Sequence, residues 1–149
     1  MGPPPCRGFA TPEAAGEVRD KYFEIYHSTM KALIMASEEG ALPEGHAFEE
    51  HQLGDWWAEH CDFARFLKPE PEFISALTEL QALGFKLCIF TNGPRKYGLK
   101  VLEQLELRRF FKDEHVFAVE DVLPTCKPEP EVRDTPATRA TRCSCPRYF

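Results

Sequence analysis

Apolar residues recur at three-to-four spacing early in the chain. Val18, Tyr22, Ile25, Tyr26, Met30, Leu33 and Ile34 share one helical face. Thr11-Pro12-Glu13 opens that helix, with Thr11 as N-cap, Pro12 in the first turn and an acid near the positive end. The pattern predicts one long helix to about Ser37, ended by Gly40 and Pro43. Ala47 to His60 predicts a second helix with Phe48, Leu53, Trp56 and Trp57 inward, and the prolines of "FLKPEPEF" impose a bend. Glu72 to Leu83 predicts a third, with Gly84 as its C-terminal stop. The period then changes. "FKLCIFT" (Phe85 to Thr91) is short, apolar and rich in aromatic and branched residues, and Gly84 and Asn92-Gly93-Pro94 bound it, so it reads as a buried strand with Cys88 in the core. Arg95 to Leu107 predicts a helix with Tyr97, Val101, Leu102 and Leu105 on one face, and "HVFAVED" (His115 to Asp121) a second strand.

Helices followed by strand, crossover helix and strand imply a parallel pair, and hence an α/β protein. The organisation expected is a disordered start (residues 1–10), a helical region (11–70), a partial α/β core (71–131) and a disordered basic tail (132–149). The tail has no periodicity and holds Arg133, Arg139, Arg142 and Arg147 against Asp134 alone.

Charge narrows the classes of partner. The formal net charge is -6 and the pI about 5.4, whereas nucleic acids and anionic membranes select a basic face. No apolar run approaches the roughly 18 residues of a membrane span, and the N-terminus has no apolar signal region. Met1-Gly2 invites myristoylation, but Cys6 stands where Ser or Thr is needed. The expected location is intracellular, cytoplasmic or nuclear, and Cys6, Cys61, Cys88, Cys126, Cys143 and Cys145 fit it as free thiols.

Chemistry concentrates at the two strand ends, where open α/β sheets bind ligands. Thr91 offers a hydroxyl, and the Asn92-Gly93 turn and the start of the next helix offer backbone N–H groups and about half a positive charge, together an anion cradle. A plain helix-capping role for Thr91 competes with this, although Asn92 or Gly93 is better placed to cap. Lys127 lies just past the second strand in a backbone restricted by Pro128, from which its ammonium can reach the strand ends; a solvated surface lysine is the bland alternative. Cys126 beside Lys127 invites a lowered thiol pKa, but nothing in the sequence orients a base toward it. "GPRKYGLK" (Gly93 to Lys100) lacks the Lys-Ser/Thr pair of a P-loop, and Cys143-x-Cys145 lacks a second ligand pair for zinc. His51 and His60 read as surface residues. Trp56-Trp57 reads either as the wall of a nucleobase pocket or as ordinary packing.

"FKLCIFTNGPRKYGLKVLEQLEL" and "CKPEPE" resemble the second and third signature motifs of the haloacid dehalogenase-like hydrolases, closest to the pyrimidine 5′-nucleotidase-like branch. "YFEIYHSTMKALIM", "HQLGDWWAEHCDFARFLKPEPEF" and "FISALTELQALG" are similar to the helical cap of that branch and to the helix leading into its second motif. The resemblance implies a Rossmann-like core with a helical cap. It implies a small phosphorylated substrate such as a nucleoside monophosphate, and phosphate-monoester hydrolysis through an aspartyl-phosphate with Mg2+. By the same resemblance Thr91 holds the phosphate with Asn92 and Gly93 beside it, and Lys127 neutralises the phosphoryl group and steadies the nucleophile. The first motif, Asp-x-Asp, occurs nowhere in these 149 residues, and no apolar strand ending in paired acids follows Lys127. The expectation is a truncated, inactive form of such a phosphatase, or alternatively a non-catalytic phosphate-binding or interaction remnant.

Overall fold

A computed structural model describes residues 8–131; what the sequence predicts for 1–7 and for 132–149, with Cys6, Cys143 and Cys145, lies outside the described residues. The first helix, α1 (Pro12–Tyr26), starts as its sequence dictates, with Thr11 Oγ1 accepting from Ala14 N–H at 3.2 Å and Pro12 in the first turn. The single long helix expected to Ser37 is instead two. His27 takes a left-handed conformation (φ 51°) and its N–H closes on Phe23 O. Ser28 then caps α2 (Thr29–Glu38), its Oγ accepting from Lys31 N–H at 3.4 Å. The break lets α1 and α2 pack on each other, burying Tyr22 against Ala32 and Ala36, whose small side chains permit close approach. Ser28 is buried, so Ser28→Ala is expected to cost about 1 kcal/mol through the lost cap. Thermal denaturation followed by circular dichroism should show the melting point fall by a few degrees, and an unchanged melt would mean that packing alone sets the break.

Next come α3 (Glu50–His60), the single turn α4 (Phe63–Phe66) and α5 (Pro71–Ala82). Gly84, at φ 84°, ends α5 as its position predicts: its N–H bonds Gln81 O and that of Phe85 bonds Leu80 O, the paired closure that satisfies the last carbonyls of a helix.

Two strands follow, β1 (Ile89–Phe90) and β2 (Val116–Phe117), with α6 (Arg95–Gln104) and two 3-10 turns between them. They pair in parallel, Ile89 against Val116 and Phe90 against Phe117, as the strand–helix–strand order requires. Each is shorter than the sequence predicts. Among the described residues each strand has only the other as partner, so the ladder lasts only as long as both run together. Val119–Asp121 leaves as a 3-10 turn, and among the described residues the ladder begins at Ile89. Cys88 is accordingly exposed, not a core residue.

The core has distinct parts. Leu77 of α5 and Leu102 of α6 meet Leu107, Phe110, Phe111 and Val116 under the sheet. Met30 of α2 packs with Val119 and Cys126, with Phe48, Leu53 and Leu123 around them, which joins the helical region to the loop after β2. Gly54 of α3 lies so close to Pro94 that a Cβ would come within 2.9 Å of the proline Cβ, and this absence of a side chain brings α3 over the start of α6. No described helix is long and apolar enough to cross a membrane.

Candidate phosphate-binding site

Thr91 continues β1 by one bond: its N–H donates to Phe117 O at 2.9 Å. Its Oγ1 accepts from Gly93 N–H at 2.9 Å. That bond fixes the hydroxyl as an acceptor, which leaves its own hydrogen to donate elsewhere. An anion at this turn would compete with Thr91 Oγ1 for the Gly93 N–H.

Lys127 reaches back across the sheet. Its Nζ donates to Phe90 O at 2.8 Å and stands 4.9 Å from the Phe90 ring centroid. The C=O of one residue and the N–H of the next point to opposite edges of a strand. Thr91 N–H faces β2, so Phe90 O, and the ammonium on it, lie at the edge away from β2. Thr91 and Lys127 are thereby brought to the same strand end, and the ammonium keeps two further donors. Asn92 ties the two segments together, Oδ1 accepting from Lys127 N–H at 3.1 Å and Nδ2 donating to Lys127 O at 2.7 Å.

The start of α6 differs from the sequence expectation. Pro94 is its N-cap and provides no side-chain bond. The first free N–H, that of Arg95, is taken by the Glu120 carboxylate at 3.0 and 3.1 Å, and the Arg95 guanidinium pairs with Asp121. The positive end of this helix therefore already has a carboxylate on it.

Below the Lys127 loop, Cys126 is fully buried, its Sγ 3.6 Å from Glu129 Oε1 and 3.7 Å from Tyr26 O. Burial pushes its thiol up, against the lowered pKa that an adjacent lysine implies, and Lys31 only partly opposes this. Lys31 reaches Glu129 at 2.5 Å, and this hydrogen bond holds the Glu129 carboxyl below the usual range. Thiol labelling should separate the cysteines. Exposed Cys88 is expected to react with a disulfide reagent at least about tenfold faster than Cys126, and equal rates in the native chain would show the loop to be open.

Glu120, Lys31 and Glu129 are not singled out by the sequence. Glu120 follows the second strand with no local pattern marking it as a cap, and the Lys31–Glu129 pair spans 98 positions. Trp57 and Phe63 pack on the ring of Tyr97, and Trp56 stacks on His60 at 4.9 Å, so both tryptophan rings have protein partners. His51 and His60 are exposed. A cavity of about 480 Å³ opens elsewhere, among Val18, Leu33, Leu42 and Phe48, and neither Thr91 nor Lys127 lines it.

A family model described as haloacid dehalogenase-like hydrolase matches residues 11–132. The chain belongs to the haloacid dehalogenase-like hydrolase family. No curated protein and no solved structure gives a significant match. The match spans both the helical region and the small parallel sheet that carries Thr91 and Lys127. Haloacid dehalogenase-like hydrolases generally use Mg2+, a hard cation that needs oxygen donors gathered together. Among the described residues no three His, Cys, Asp or Glu side chains cluster to hold a metal ion. Glu120 and Glu129, the carboxylates flanking the site, are committed to the Arg95 N–H and to Lys31. The described residues therefore do not fit a Mg2+ site.

Proposed function

We propose that this haloacid dehalogenase-like chain is of the pyrimidine 5′-nucleotidase-like type, and that it grips the phosphate of a small phosphorylated ligand such as a nucleoside monophosphate without hydrolysing it unaided. The observation that supports the reading is the bond from Lys127 Nζ to Phe90 O, which holds a cation on the main chain of the residue before Thr91. A neutral and a cationic donor at one strand end suit a phosphate.

Hydrolysis makes a larger demand. Phosphate monoesters are among the slowest compounds to hydrolyse uncatalysed. Covalent catalysis needs a carboxylate nucleophile placed against phosphorus. These 149 residues contain no Asp-x-Asp, and the Glu120 and Glu129 carboxylates are already bonded to the protein's own donors.

The test has two arms on the full chain. Nucleoside monophosphates incubated with Mg2+ are expected to release no phosphate above a Lys127→Ala control; turnover that this substitution abolishes would overturn the non-hydrolytic part of the reading. Inorganic phosphate, titrated by calorimetry, is expected to bind, and to bind more weakly to Thr91→Ala through the loss of one hydrogen bond from a neutral donor to the charged phosphate. Failure of phosphate to bind the parent chain would remove the grip itself.

A further inference from the structure

Asn92 uses its side-chain amide on the main chain of other segments. Oδ1 takes the N–H of Lys127 and Nδ2 gives a hydrogen to its carbonyl, at 3.1 and 2.7 Å. Nδ2 also lies 3.5 Å from His27 O, at the left-handed turn between α1 and α2. An amide has two N–H hydrogens and no other donor. Both are directed at carbonyl oxygens, and the remaining polar atom, Oδ1, is an acceptor that would repel an oxyanion. Asn92 adjoins Thr91 in sequence, yet its side chain has no free donor to offer a phosphate.

What it fixes is the base of a long side chain. A lysine ammonium on its flexible stem is a poorly placed charge unless its backbone is held. Here both main-chain polar groups of Lys127 are bonded to one side chain, so the loop cannot slide along β1 without breaking two bonds together. Gly93 O is engaged as well, accepting from Val119 N–H at 3.3 Å, so the turn that carries Asn92 is itself anchored to the segment after β2.

We propose that Asn92 is a positioning residue: it clamps the Lys127 backbone so that the ammonium stands at the anion pocket, reads the position of the α1–α2 turn through His27 O, and does not touch the phosphate. This rests on the reading of Thr91 and Lys127 as a phosphate site.

A double-mutant cycle on the full chain, with inorganic phosphate as the probe, tests it. Asn92→Ala is expected to weaken binding, and Asn92→Ala combined with Lys127→Ala to bind no more weakly than Lys127→Ala alone, because the clamp acts only through Lys127. A further loss from Asn92→Ala in the Lys127→Ala background would make Asn92 a direct ligand and overturn the proposal. Amide hydrogen exchange at Lys127 gives a readout independent of phosphate. It is expected to speed up about 2- to 12-fold in Asn92→Ala as one hydrogen bond is lost, and unchanged protection would equally overturn the clamp. Asn92→Gln keeps the amide but displaces it by one methylene. It is expected to follow Asn92→Ala in both measurements, while a direct ligand with a longer tether would retain affinity. If Lys127→Ala leaves phosphate affinity unaltered, the phosphate reading fails, and Lys127 exchange in Asn92→Ala still decides the clamp.

Discussion

Lys127→Ala is expected to weaken inorganic phosphate binding by roughly 10- to 150-fold, the equivalent of the about 1.5–3 kcal/mol that a hydrogen bond to a charged group contributes. The loss exceeds that from Thr91→Ala because the ammonium brings charge as well as a donor. Its share of the attraction is screened by salt, so the affinity of the parent should fall as ionic strength rises, and that of the variant should fall less. The ammonium also caps Phe90 O at 2.8 Å, so alanine removes a support of the strand end along with the charge. Lys127→Met leaves an unbranched stem able to cover the Phe90 ring and removes the ammonium, both its charge and its donor to Phe90 O, so it separates the ammonium from the stem. Calorimetry should show Lys127→Met binding as poorly as Lys127→Ala. Parent-like affinity in Lys127→Met would place the ammonium outside the pocket.

Much of this arrangement is written in local sequence. Thr11-Pro12 and Gly84 mark helix ends because caps depend on a few consecutive residues, and both act where their positions indicate. The order of strand, helix and strand dictates the parallel pairing of Ile89 with Val116. The break at His27 and Ser28 is masked because Tyr26, Met30, Leu33 and Ile34 keep helical spacing across it, although Ser28 is itself a capping residue type that could have flagged the break. Strand length is also hidden, because it depends on neighbours: the apolar run from Phe85 predicts a buried strand, and with one partner only Ile89 and Phe90 join the ladder. At the site, Thr91 and Lys127 stand out by their places after the two strands. The clamp from Asn92 across 35 positions and the Glu120 carboxylate on Arg95 across 25 leave no local trace.

Two of the core clusters, one around Met30 and one around Phe110, should respond differently to comparable damage. Met30→Ala is expected to cost about 2–5 kcal/mol and Phe110→Ala about 3–5 kcal/mol, from lost burial and the cavity each leaves. Either is a large share of the roughly 5–15 kcal/mol that holds a domain folded, and urea denaturation should show both as lowered midpoints. Their effects on phosphate should diverge. Phe110 is buried with Leu77, Leu102 and Val116, on the side of the fold formed by α5 and α6. Met30 packs against Val119 and Cys126, and Cys126 is the residue before Lys127. A cavity beside Cys126 loosens the loop from below while Asn92 holds it from above, so Met30→Ala should lose phosphate affinity at temperatures where the chain is still folded, and Phe110→Ala should keep it. Equal losses in the two variants, measured well below both melting transitions, would mean that the Lys127 loop is set by the whole core and not by the cluster beneath it.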